Sequence, residues 1–134
     1  MPARKHAELL LRKAAQDEFT LDKLISDPDA PDEVIGFHAQ QAVEKMLKAV
    51  LALRSVRYRR THDLVELVAQ CAGHDPGFAA LQPQVEPLSP YAVRFRYPGP
   101  TDPPAERVRE ALRVVHEVWT FVLARVPPDA RPEQ

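Results

Sequence analysis

"FHAQQAVEKMLKAVL", residues 37 to 51, decides how this chain folds. Wound at about 100° per residue, it gathers Ala39, Ala42, Val43, Met46, Leu47 and Val50 on one broad apolar face, which Leu53 extends. Gln41, Glu44 and Lys48 line up on the opposite side, with His38, Gln40 and Lys45 at its edges. Phe37 and Leu51 interrupt that polar stripe, where solvent alone would not favour them. The pattern predicts a helix with one face in a core. Its polar stripe is expected to be a dimer or ligand surface, with Gln40 and Lys45 as its solvated edge.

The rest of the chain must supply that core. At 134 residues, with 45% apolar and 28% charged side chains, it has the size and composition of one globular domain. A net charge of -1 gives no overall attraction to nucleic acid or membranes, so such binding needs a local patch. The single cysteine, Cys71, excludes an internal disulfide and falls on the apolar side of an expected helix, as an inert core thiol. No apolar run reaches the roughly 20 residues of a membrane span, and the amphipathic N-terminus lacks a signal-peptide core. The expected location is cytoplasmic.

Proline parses the helices. All 14 prolines avoid the windows 3–27, 32–75 and 105–126, and eight crowd into 76–104; inside a helix each would cost about 3 kcal/mol. The first window predicts a helix over 4–26 with the stripe Ala7, Leu10, Leu11, Ala14, Leu21 and Ile25. Glu18 falls on that stripe, either partly exposed or buried with a partner. The second window holds helices over 33–55 and 61–73, the latter capped by Thr61 and ended by Gly73. Gly36 inside the first of these signals close packing. A short helix is expected near 77–84 and a last long one from Thr101 or Asp102 to 126. That last helix turns Val108, Ala111, Leu112, Val115, Trp119, Val122, Leu123 and Val126 inward. The predicted fold is all-α, an up-and-down bundle of four long helices plus one short helix. Residues 1–126 form the bundle and 127–134 a frayed polar tail.

Several chemistries have no motif here. There is no glycine-rich phosphate loop, HExxH, CxxC or GxSxG, and the five histidines show no metal-ligand spacing. No cofactor or metal is expected. Two basic-aromatic patches remain: "RSVRYRR", 54–60, and "YAVRFRYPG", 91–99. Arginine binds phosphate bidentately and stacks on bases, and aromatics add stacking platforms. The plainer readings are arginines at a helix C-terminus for the first and aromatics pinning a loop for the second. His62, beside the helix cap, has the chemistry of a general base or of a carbonyl donor.

Taken in order, "FHAQQAVEKMLKAVL", "RRTHDLVELV" and "SPYAVRFRYPG" make the chain similar to the HEPN family (higher-eukaryote and prokaryote nucleotide-binding domains) over about residues 5 to 125. The resemblance implies a helical bundle that forms homodimers. It also implies a toxin–antitoxin-like pairing with a minimal nucleotidyltransferase. Ribonuclease members carry an arginine followed four to six residues later by histidine near the last long helix. Here "FRYPGPTDPP" follows Arg94, with no histidine within six residues of Arg94 or Arg96, and the Arg57–His62 spacing lies one helix too early. The resemblance therefore implies a non-catalytic member that binds nucleotide, RNA or a nucleotidyltransferase partner. The alternatives are a metal-independent ribonuclease using Arg96 and His62, and a purely structural oligomerising bundle. The expected site comprises Arg94, Arg96 and Tyr97, with His62 and Asp63 nearby and Gln41, Glu44, Lys45 and Lys48 behind. In it the arginines and Lys48 hold phosphate, Tyr91 or Tyr97 stacks, and Glu44 and Asp63 orient the cations.

Overall fold

The computed structural model describes residues 2–58, 60–94 and 110–132, and all regular structure among them is helical. Four helices carry the bundle: α1 (Pro2–Ile25), α2 (Asp32–Leu53), α3 (Leu64–Ala72) and, after two short helices, α6 (Ala111–Leu123). The short ones are α4 (Gln82–Val85), which follows a 3-10 turn over Pro76–Leu81, and α5 (Tyr91–Arg94). The chain is thus the all-α, up-and-down bundle that the proline spacing predicts. Residues 101–109, where the last helix was expected to begin, lie outside the described residues.

Helix α2 sits at the centre, packed against α1, α3, α5 and α6. Its predicted apolar face is buried, from Ala39 to Val50. So is much of the opposite side, Gln40, Glu44 and Leu51 included. A helix surrounded by protein buries side chains all round, which explains Leu51 in the polar stripe, whereas Phe37 is only half-buried. Leu51 packs into the core. The solvated position expected for Gln40 is therefore corrected: it is 0% exposed. Lys45 is half-buried and bridges to Asp17 of α1, which also bonds His38 Nδ1 at 3.1 Å.

Helix α6 is rotated relative to its expected stripe. Ala111, Val114, Val115, Val118 and Val122 are buried, while Leu112, Trp119 and Leu123 pack only at the margin. Leu112 and Trp119 pack against the core from the edge of the valine ridge. Cys71 is buried as expected, and burial pushes its thiol up to about 12. The tail expected to fray does not do so over 128–130. A 3-10 turn there buries Ala130, and Arg4 grips Asp129 at 2.5 Å.

Helix α2 ends in a close turn. Val56 N–H donates to Leu51 C=O at 2.9 Å and Ser55 N–H to Ala52 C=O at 3.0 Å, the paired pattern that closes a helix through a left-handed residue. That residue is Ser55, at φ 57°, where a Cβ is unfavourable. Ser55→Gly is expected to stabilise the fold by about 1 kcal/mol. Chemical denaturation checks this through the midpoint, and a lower midpoint would contradict it.

Candidate functional site

The polar stripe of α2 becomes a network because the segment after α2 folds back onto it. Glu44 is 5% exposed, and a carboxylate so buried needs donors on both oxygens. It has them. Lys48 Nζ donates to Oε2 at 3.1 Å. Gln40 Nε2 donates to Oε1 at 2.9 Å, and His62 Nδ1 meets the same oxygen at 2.8 Å. The Gln40 amide also donates to the His62 carbonyl at 3.0 Å and accepts from Gln41 at 2.7 Å. Gln40, Glu44 and Lys48 are four residues apart, so one helix face supplies all three.

This holds His62 by both its backbone and its ring. Its side chain remains 68% exposed. With Nδ1 on the carboxylate, Nε2 is the ring's remaining polar atom for a ligand or a proton. Lys48 also lies over the Tyr58 ring at 5.4 Å, and the Tyr58 hydroxyl meets His6 Nε2 at 2.6 Å. Burial, reinforced by the Glu44 charge, raises the Tyr58 phenol above its ordinary value. One connected set of side chains thus runs from α1 through α2 to the entrance of α3.

Several expected site residues have other roles. Asp63, expected to orient cations, caps α3 by accepting from Val65 N–H at 3.0 Å and Glu66 N–H at 3.4 Å. It displaces Thr61 as the cap because Ser89 supports it, accepting from Leu64 N–H at 2.9 Å and donating to Asp63 at 3.4 Å. Thr61 accepts from Asp63 N–H instead. Tyr91 is 3% exposed and its ring lies on Gly36, where an added Cβ would come within 2.4 Å; a base cannot stack on that ring. Lys45 is engaged by Asp17. Arg94 closes α5, and Arg96 and Tyr97 lie outside the described residues, as does the Arg94 side chain. α5 nevertheless borders His62: a shallow cleft of about 490 Å³ is lined by His62, Asp63, Val65, Glu86, Ser89 and Ala92.

The HEPN domain model matches residues 7–126. The chain belongs to the HEPN family. It is also 31% identical over 103 residues to "Putative toxin MJ1304" of Methanocaldococcus jannaschii, a match covering 72% of this chain and 66% of that protein. No solved structure matches significantly. Within this HEPN bundle, Gln40, His6 and Tyr58 are the site residues that sequence reading missed. The four-residue ladder was a signal for Gln40, whereas nothing local marks His6 as the partner of Tyr58. Among the described residues, no three His, Cys, Asp or Glu side chains are arranged to hold a metal ion, and no helix is long and apolar enough to cross a membrane.

A second acid shows what burial without donors does. Glu18, on the α1 stripe, is partly buried; its Oε2 has no hydrogen bond and lies 3.9 Å from His116 Nε2. Burial raises its carboxyl above the ordinary value, with His116 opposing and Asp22 reinforcing the shift. The folded HEPN domain therefore binds this proton more tightly than the unfolded chain does. The associated stability is present below the usual carboxylate value and is lost as pH rises through the folded one. Glu18→Gln is expected to exceed wild-type stability at pH 7 by about 0.5 kcal/mol, discounting for solvent screening. The difference should shrink below about pH 5 and vanish near pH 3, well below both values. A pH series of denaturation midpoints reads it, and a constant difference at every pH would refute the assignment.

Proposed function

We propose that this HEPN protein is the non-catalytic member of a toxin–antitoxin-like pair and binds a phosphate-bearing ligand, nucleotide or RNA, at the His62 cleft. The observation that carries this is the Glu44 network, which fixes an exposed imidazole beside α5. Buried polar networks are costly unless complete, and this one turns the Nε2 edge of the imidazole to solvent. The arginines at 94 and 96 would supply phosphate contacts, and a nucleotidyltransferase would be the partner through which the ligand is made or consumed. The relative's description as a toxin supports the class of system.

Ligand binding is read by thermal shift. At roughly ten times its Kd, a nucleotide or RNA ligand adds about 1.4 kcal/mol, a rise of about 5 °C for a chain of this size. Arg94→Ala/Arg96→Ala and His62→Ala should each remove most of that rise. No shift with any nucleotide or RNA, or an equal shift in the variants, would defeat the binding reading.

The same Glu44–His62 pair favours one second reading, a metal-independent ribonuclease. A carboxylate-held imidazole is suited to move the 2′-hydroxyl proton while an arginine stabilises phosphate charge. RNA cleavage in EDTA that disappears in both His62→Ala and Arg96→Ala would favour this reading. Cleavage surviving both substitutions belongs to another site or protein.

A further inference from the structure

We propose that the outer face of α1, with the groove beside it, docks an acidic segment of a partner protein that carries an apolar anchor. At about 100° per residue, Lys5, Arg12, Lys13 and Lys23 share the side of α1 turned away from buried Ala7, Leu11, Ala14 and Leu21, and all four are exposed. From Lys5 to Lys23 this stripe runs about 27 Å, the length of a five-turn partner helix. The acids beside its first half are already matched. Arg4 holds Glu8 at 3.1 Å and Asp129 at 2.5 Å, and keeps the Asp129 carboxyl below its ordinary value. No ion pair with another described residue engages Lys5, Arg12 or Lys13. In a chain of net charge -1, such a concentration of cations is a local attraction for acid.

Apolar anchors lie on the same face. Leu9 and Phe19, at 44% and 65%, are the large hydrophobics exposed among the described residues. Between α1 and the C-terminal turn runs a groove of about 720 Å³, lined by Phe19, Ala130 and Pro132, by Arg12, and by the Glu8 and Asp129 carboxylates that Arg4 already holds. Lys23 lies over the Phe19 ring at 5.3 Å, bringing a cation to the apolar anchor. Exposed apolar side chains beside a row of exposed cations fit an acidic amphipathic segment laid lengthwise. A nucleic-acid strand fits less well. Of the apolar side chains here Phe19 alone is aromatic, so a strand would find one stacking platform and no second. This surface shares no residue with the His62 cleft, so the two proposals stand or fall separately.

The test is selection of a random 16-residue peptide library displayed on phage against the full chain. Enriched peptides should be net acidic with at least one Leu, Phe or Trp. Measured singly by fluorescence anisotropy, they should bind at least about tenfold more weakly to Phe19→Ala and to Arg12→Glu/Lys13→Glu. Both variants change exposed residues and should melt within about 2 °C of wild type; if either misfolds, Lys5→Glu/Lys23→Glu is the substitute. Four results would overturn the proposal: no enrichment, neutral or basic winners, affinity unchanged in the variants, or displacement by a single-stranded oligonucleotide. Sedimentation velocity adds a fifth. If Phe19→Ala converts a dimer to monomer, the face is occupied by a second copy of this chain instead.

Discussion

Glu44→Leu should lower the melting temperature by roughly 10 °C, the largest effect expected of any single substitution in the network. Removing one partner of a buried pair leaves the other charge uncompensated, at about 3–5 kcal/mol. The lower end applies here, because Lys48 keeps a little solvent and His62 is mostly exposed. For a chain of 134 residues, about 3 kcal/mol corresponds to that shift. Glu44→Gln keeps a neutral acceptor and should lose about half as much. The double variant Glu44→Leu/Lys48→Met should recover most of the loss, since apolar side chains can replace a buried ion pair with little cost. If Glu44→Leu melts within about 3 °C of wild type, the carboxylate does not organise the stripe. The placing of His62 would then need another explanation.

Gly36→Ala should destabilise the fold by about 2 kcal/mol, although alanine is the better helix former. The reason is steric. A Cβ on Gly36 would lie 2.4 to 2.6 Å from three atoms of the buried Tyr91 ring, so the ring must leave its seat. Expelling a buried aromatic costs about 3 kcal/mol, offset by about 1 kcal/mol of helix propensity. The sign should reverse when the ring is absent. In a Tyr91→Ala background, Gly36→Ala should stabilise by about 1 kcal/mol, which a double-mutant cycle measures directly. A loss of equal size in both backgrounds would mean that α2 itself, and not the contact with α5, rejects the side chain.

Much of the bundle was legible locally. Proline-free windows gave α1, α2 and α3 with ends one to three residues from those observed, and the end of the last helix within three; the described α6 begins only at Ala111. The apolar period of α2 named its core face, and Gly36 flagged close packing before Tyr91 was known to cause it. The misplacements share a cause. Thr61 and Asp63 are both good caps, and Ser89 decides between them from a distant turn. Gln40 sits at the edge of the stripe on a helical wheel, but the backbone of His62 covers it. Leu112 and Trp119 fit the expected α6 stripe, yet the neighbouring helices select the valine ridge beside them.

By itself, then, the sequence determined the all-α bundle, the core face of α2 and membership of the HEPN family. Those properties follow from helical period, proline exclusion and ordered motifs, all of which act along the chain. Only the tertiary structure decided what the stripe of Gln41, Glu44 and Lys48 meets first. It meets its own chain, because a buried carboxylate must find donors, and the loop carrying Tyr58 and His62 brings one back across the face of α2.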